Sequence, residues 1–177
     1  MKNTIAVMAL SALFAFSACK KNEKTGTPTE KKDNNQTEKL IVDSVKVSDS
    51  TRITDSLKVT YTSKLLVFPS ITDKKLLDSI YFQNEKIKDF SKAGLQTYLE
   101  NEKNNYFNSV KNNNKDWISD ITYAQDWYSS SHMNLISDIN GYMHIQYVGS
   151  GYEGGAHDNY GFSERVFDLK NKKKAGT

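Results

Sequence analysis

Residues 43–60 read DSVKVS, DSTRIT, DSLKVT, three copies of one six-residue unit. Six is a multiple of two, so in an extended chain every Asp and every aliphatic residue of the repeat falls on the odd-numbered side. The Ser44, Lys46, Ser48, Ser50, Arg52, Ser56 and Lys58 side chains fall on the other. The odd side continues as Val45, Val47, Ile53, Leu57, Val59, Tyr61, Leu65 and Val67, a half-buried strand signal of unusual length. Strands average about 5–6 residues, which predicts a break near Asp49 or Asp55. Six-residue periods also build β-helices, but three copies are too few to stack one.

Downstream, Pro69 ends the extended run, and Ser70 or Thr72 is placed to cap a helix with Asp73 near its positive end. Leu76, Leu77, Ile80 and Tyr81 follow at helical spacing over residues 73–84. A second helical stretch carries Phe90, Leu95, Tyr98, Leu99, Phe107 and Val110, with Gly94 as a weak point and Asn112-Asn113-Asn114 as its stop. Aromatic residues at this spacing are read as core.

After Lys115 the chain becomes aromatic and β-branched, with turns between. Strands are predicted over 117–127, 132–138, 142–148 and 160–169, the Ser129-Ser130-Ser131 triplet as a loop, and Asn140-Gly141 as a two-residue hairpin turn. Strands, then helices, then a meander is the order of an α+β domain: an antiparallel β-sheet with two helices packed on one face, after a disordered N-terminal tether.

That tether is residues 20–38, KKNEKTGTPTEKKDNNQTE, which hold no aliphatic or aromatic side chain and cannot bury enough surface to offset chain entropy. Its Lys20, Lys21, Lys24, Lys31 and Lys32 are read as a solvated spacer, with contact to anionic headgroups as the alternative. Ahead of it, Lys2 and the apolar run 5–16 (IAVMALSALFAF) have the form of a signal peptide, too short for a permanent membrane span. Phe16-Ser17-Ala18-Cys19 then resembles the lipobox of bacterial lipoproteins, with Phe16 where Leu is usual. The expectation is cleavage after residue 18, lipidation of Cys19, and a protein held on the bacterial cell envelope, periplasmic or on the outer face. Several acyl chains anchor stably where one does not.

Other chemistry is scarce. Cys19 is the only cysteine, so no internal disulfide and no Cys-based zinc cage can form. Lys+Arg 24 against Asp+Glu 21 leaves +3, and from Leu40 onward basic and acidic residues are equal in number, which argues against a nucleic-acid partner. The sequence holds no Gly-rich phosphate loop, His-Glu-x-x-His or Gly-x-Ser-x-Gly, and no cofactor is expected. His132 and His144 fall out of register across the Asn140-Gly141 hairpin. A metal or hydrolytic site would therefore need His157 with Asp158 or Glu153. The most distinctive segment is 149–161, GSGYEGGAHDNYG, where Gly154-Gly155 lets the chain turn and present Ala156-His157. His157 either tying down loop carbonyls or facing a ligand fits this pattern. Asp-Ser-aliphatic triplets, recurring at Asp78-Ser79-Ile80, also resemble O-glycosylation sequons of some Gram-negative lineages.

Tyr152-Glu-Gly-Gly-Ala-His157, followed by the strand ending Val166-Phe-Asp168-Leu-Lys-Asn-Lys172, resembles the Tyr-x-Gly-Gly-Ala-His and later Asp-Leu pattern of the RsiV-like extracellular domain. Residues 57–148, with Phe68-Pro69 ahead of the helices, resemble the module that usually precedes it, which also occurs as the non-catalytic N-terminal part of PdaC-type peptidoglycan deacetylases. The two cover about two thirds of the chain. Domain limits follow: 1–18 signal peptide, 19–39 lipidated cysteine and linker, 40–149 PdaC-type module, 150–177 the start of an RsiV-like module that stops early. The resemblance implies a non-catalytic, ligand-facing envelope domain with Tyr152, Gly154, Gly155 and His157 at the contact. It suggests lysozyme as partner and peptidoglycan fragments second. A metal-dependent cell-wall hydrolase or deacetylase, or a structural envelope component assembling through strand edges, are the alternatives. RsiV-type sensors signal through a transmembrane helix, whereas the leader here points to a lipid anchor.

Overall fold

A computed structural model describes residues 40–176. The signal segment, Cys19 and the tether expected before residue 40 lie outside the described residues. Among those described, no helix is long and apolar enough to cross a membrane.

The repeat forms a hairpin. β1 (Asp43–Arg52) turns through residues 53–56 into β2 (Leu57–Val67), so the predicted break falls at Asp55. Burial follows the parity of the sequence, with Val45, Val47, Leu57, Val59, Tyr61, Leu65 and Val67 all buried. The Asp residues share that side without being buried, and α2 supplies partners for two of them: Lys92 Nζ lies 2.7 Å from Asp43 and Lys103 Nζ 3.3 Å from Asp49.

α1 (Lys74–Ile80) is shorter than the periodicity implies, and its N-cap is Asp73 itself, whose carboxylate accepts from the Leu76 N–H at 2.9 Å. α2 (Lys92–Asn113) is capped by the Ser91 hydroxyl and ends at Asn114. After a 3-10 turn (Ile118–Asp120), β3 (Gln125–Ile139) and β4 (Tyr142–Tyr152) form a hairpin around Asn140 and Gly141, both at positive φ. β5 (Asn159–Asp168) pairs with β4, and the short β6 (Lys173–Lys174) pairs with the end of β5.

The sheet runs β1-β2-β3-β4-β5-β6 in space, antiparallel throughout except where β2 meets β3 in parallel. Two helices lie between those strands in the chain, and a crossover of that length returns the chain in the same direction. Of the strand predicted over 117–127, only residues 125–127 are extended, as the start of β3. Ile118 and Ile121 are both buried, three residues apart, which is the spacing of a tight turn and not of a strand. The Ser129-Ser130-Ser131 triplet is a mid-strand segment and not a loop, because its hydroxyls find partners: Ser131 with Ser63 at 2.7 Å and Ser130 with His132 at 3.1 Å. One irregularity, between Leu135 and Ser137, pushes Ile136 out to solvent.

Both helices pack on the odd-numbered face. The main core joins Leu76, Leu77, Ile80, Leu95 and Leu99 to Leu65, Met133, Met143, Ile145, Tyr147 and Phe167. A second cluster of Leu57, Val59, Val110, Ile118, Ile121 and Trp127 closes the other end of the sheet. Two buried tyrosine hydroxyls are satisfied by backbone: Tyr81 donates to Leu66 O at 2.6 Å and Tyr147 to Ile80 O at 2.7 Å. Among the described residues no helix packs on the opposite sheet face.

Candidate binding loop and open sheet face

The β4–β5 connection, residues 153–158, sits at the Trp127 end of the sheet. Gly154 and Gly155 have φ of 84° and 108°, a region that disfavours any side chain, so the turn at this place requires both glycines. A Cβ on Gly154 would lie 3.2 Å from Trp127 Cζ2, so the loop backbone rests directly on the indole. Trp127 is itself fully packed and donates from Nε1 to Gln125 Oε1 at 2.7 Å.

Two tyrosines pin the loop from the strands. Tyr152 Oη donates to the Gly155 carbonyl at 3.1 Å, and Tyr128 Oη donates to Asp158 Oδ2 at 2.8 Å. Tyr128 and Tyr152 face each other in register across β3 and β4. The bond to Asp158 raises the Tyr128 phenol above its ordinary range, because a phenolate there would oppose the carboxylate. On the helix side, the Tyr106 hydroxyl of α2 is buried without a hydrogen-bond partner among the described residues. Burial raises its pKa, and the nearby Glu153 charge adds to the shift without forming a hydrogen bond in this geometry.

His157 is exposed at the loop tip, and Tyr152 holds the Gly155 carbonyl. Glu153 and Asp158 are also exposed. The four residues singled out from sequence thus form one loop: Tyr152 as its clasp, Gly154 and Gly155 as its turn, and His157 projecting. Trp127 and Tyr128, which hold it from beneath, carry no local mark of that role. Only strand register brings them there.

The other histidines lie on the open face. His132 pairs with Val148 and His144 with Ser137, so the two are out of register as expected. His144 Nε2 lies 3.1 Å from Glu164, which also accepts from Gln146 at 3.0 Å. His132 is half-buried, and its pKa is lowered by that burial and by the charges of Lys46 and Lys64. Among the described residues no three His, Cys, Asp or Glu side chains converge to hold a metal ion.

No protein-family model matches the chain, and no curated protein matches it. Solved structures do. A DUF3298 family member from Bacteroides fragilis superposes with a TM-score of 0.61 at 20% identity, over 77% of this chain and 58% of its own. A DUF3298 family protein from Pseudomonas aeruginosa aligns with a TM-score of 0.44 at 14% identity, over 78% of this chain and 56% of its own. The chain therefore spans less than two thirds of either neighbour. The Bacteroides likeness shows a shared fold, that of a bacterial DUF3298 family protein.

Proposed function

We propose that this chain is a non-catalytic cell-envelope lipoprotein, anchored through Cys19, whose α+β domain binds a protein or peptidoglycan-related ligand through the Tyr152–His157 loop. The observation that supports the reading is the construction of that loop. Three aromatic residues, Trp127, Tyr128 and Tyr152, hold a turn that needs two glycines, and the product is an exposed imidazole between two exposed carboxylates. A loop fixed in advance loses little entropy on binding. The resemblance of Tyr152-Glu-Gly-Gly-Ala-His157 to the RsiV-like extracellular domain favours lysozyme as the partner, with cell-wall fragments second.

The test is calorimetric titration of the purified protein with lysozyme and, separately, with soluble muropeptides. Saturable binding of either that weakens in His157→Ala supports the reading. A folded protein that binds neither contradicts it.

A further inference from the structure

The repeat sorts charge as well as hydrophobicity. Asp43 and Asp49 turn to the helix side, where Lys92 and Lys103 meet them, and the cations of the repeat are left on the open face. Strand register then aligns one row across five strands: Lys46, Lys64, His132, Val148 and Phe162. Three bases from three neighbouring strands stand side by side. Lys46 and Lys64 are directly opposed, and like charges in that position destabilise a sheet. Among the described residues neither lysine forms an ion pair, although the domain has as many acids as bases.

The groups facing His132 are Lys64 on β2, with Lys46 behind it on β1, Ser130 on its own strand and Val148 on β4. No carboxylate stands in the row. Glu164, two strands away, is held by His144 and Gln146. Hydroxyls fill the adjoining row: Ser48 and Thr62 are 3.0 Å apart, followed by Ser130 and Ser150, with exposed Tyr160 at its end.

We infer that Lys46, Lys64 and His132 form an oxyanion site, occupied by an acidic group of a cell-wall glycan that lies across the strands. The unbalanced positive row supplies the charge complement, the hydroxyl row supplies donors and acceptors for sugar, and Tyr160 and Phe162 supply aromatic faces at the far edge. An anionic bilayer fits less well. In these two rows the exposed aromatic residues, Tyr160 and Phe162, lie three strands from Lys64 and are flanked by Asp158 and Glu164, which such a surface repels. This inference rests on the cell-wall branch of the function proposed above but uses a different surface from the loop.

The experiment follows the ring protons of His132 by NMR through a pH titration of the purified protein, with and without soluble muropeptides. A bound anion offsets the two lysines, so the His132 midpoint rises, by on the order of one pH unit. In a Lys46→Gln, Lys64→Gln double variant the starting midpoint is already higher and muropeptides no longer move it. An equal rise in sodium chloride of the same ionic strength, a rise with phosphatidylglycerol vesicles only, or no rise at all overturns the inference. His157→Ala separates the two surfaces. If it abolishes lysozyme binding while the His132 response persists, both proposals stand independently. A persisting His132 response with no loop-dependent binding sinks the loop alone.

Discussion

Gly154 turns its missing side chain toward Trp127: a methyl group there would lie 3.2 Å from Cζ2 of an indole that has nowhere to move. Two penalties therefore coincide in Gly154→Ala, a left-handed backbone and a tight contact. The variant is expected to lose about 1–3 kcal/mol of stability, read as a lower urea midpoint. Gly155→Ala keeps the backbone penalty at φ 108° but meets open space, so its loss should be the smaller of the two.

Gly94 gives the reverse of the usual helix rule. Gly→Ala in a helix ordinarily gains up to about 1 kcal/mol. Here the new Cβ would collide with the Asp89 side chain and come within 2.5 Å of the Asp89 carbonyl oxygen. Gly94→Ala is expected to destabilise by about 1–3 kcal/mol, the range for overpacking, and thermal denaturation gives the sign directly.

The cap of α1 is a third test. Asp73 Oδ1 satisfies the Leu76 N–H, and that helix brings Leu76, Leu77 and Ile80 onto the sheet. Asp73→Ala should cost about 1 kcal/mol, whereas Asp73→Ser should restore most of it, since a hydroxyl also caps.

Acid should act in two separate windows. Burial and the two lysines lower the His132 pKa, so the unfolded chain binds that proton more readily. Stability is therefore complete above about pH 6.5 and falls as pH drops below it. Asp168 is also lowered, by the Asn171 backbone N–H at 2.9 Å and side-chain amide at 2.7 Å. Its contribution persists to lower pH and is lost only below about pH 4. Stability measured against pH should show both steps, and His132→Gln should remove the upper one alone.

Much of the fold could be read locally. The parity of the repeat predicts which side of β1 and β2 is buried, and Asn140-Gly141 predicts the hairpin that both positive φ values confirm. What sequence reading missed depends on distant partners. Nothing near Gln125 shows that β3 runs parallel to β2, since that follows from the path of two helices. Serines 129–131 look like a loop until Ser63 arrives from another strand to bond one of them. The glycine loop was legible as a turn from Gly154-Gly155, but its support by Trp127 and Tyr128 was not. The Lys46–Lys64–His132 row appears only when β3, separated from the β1–β2 hairpin by two helices in the chain, is set in register with it.

The most direct measurement is lysozyme affinity of the purified protein against that of its His157→Ala variant, with circular dichroism showing both folded alike. His157 is exposed, and among the described residues it forms no hydrogen bond, so its removal should leave the fold intact. The account predicts saturable binding that weakens at least tenfold, the scale of a contact worth about 1.4 kcal/mol. Equal affinity of the two proteins, or a folded protein that binds neither lysozyme nor muropeptides, would contradict it.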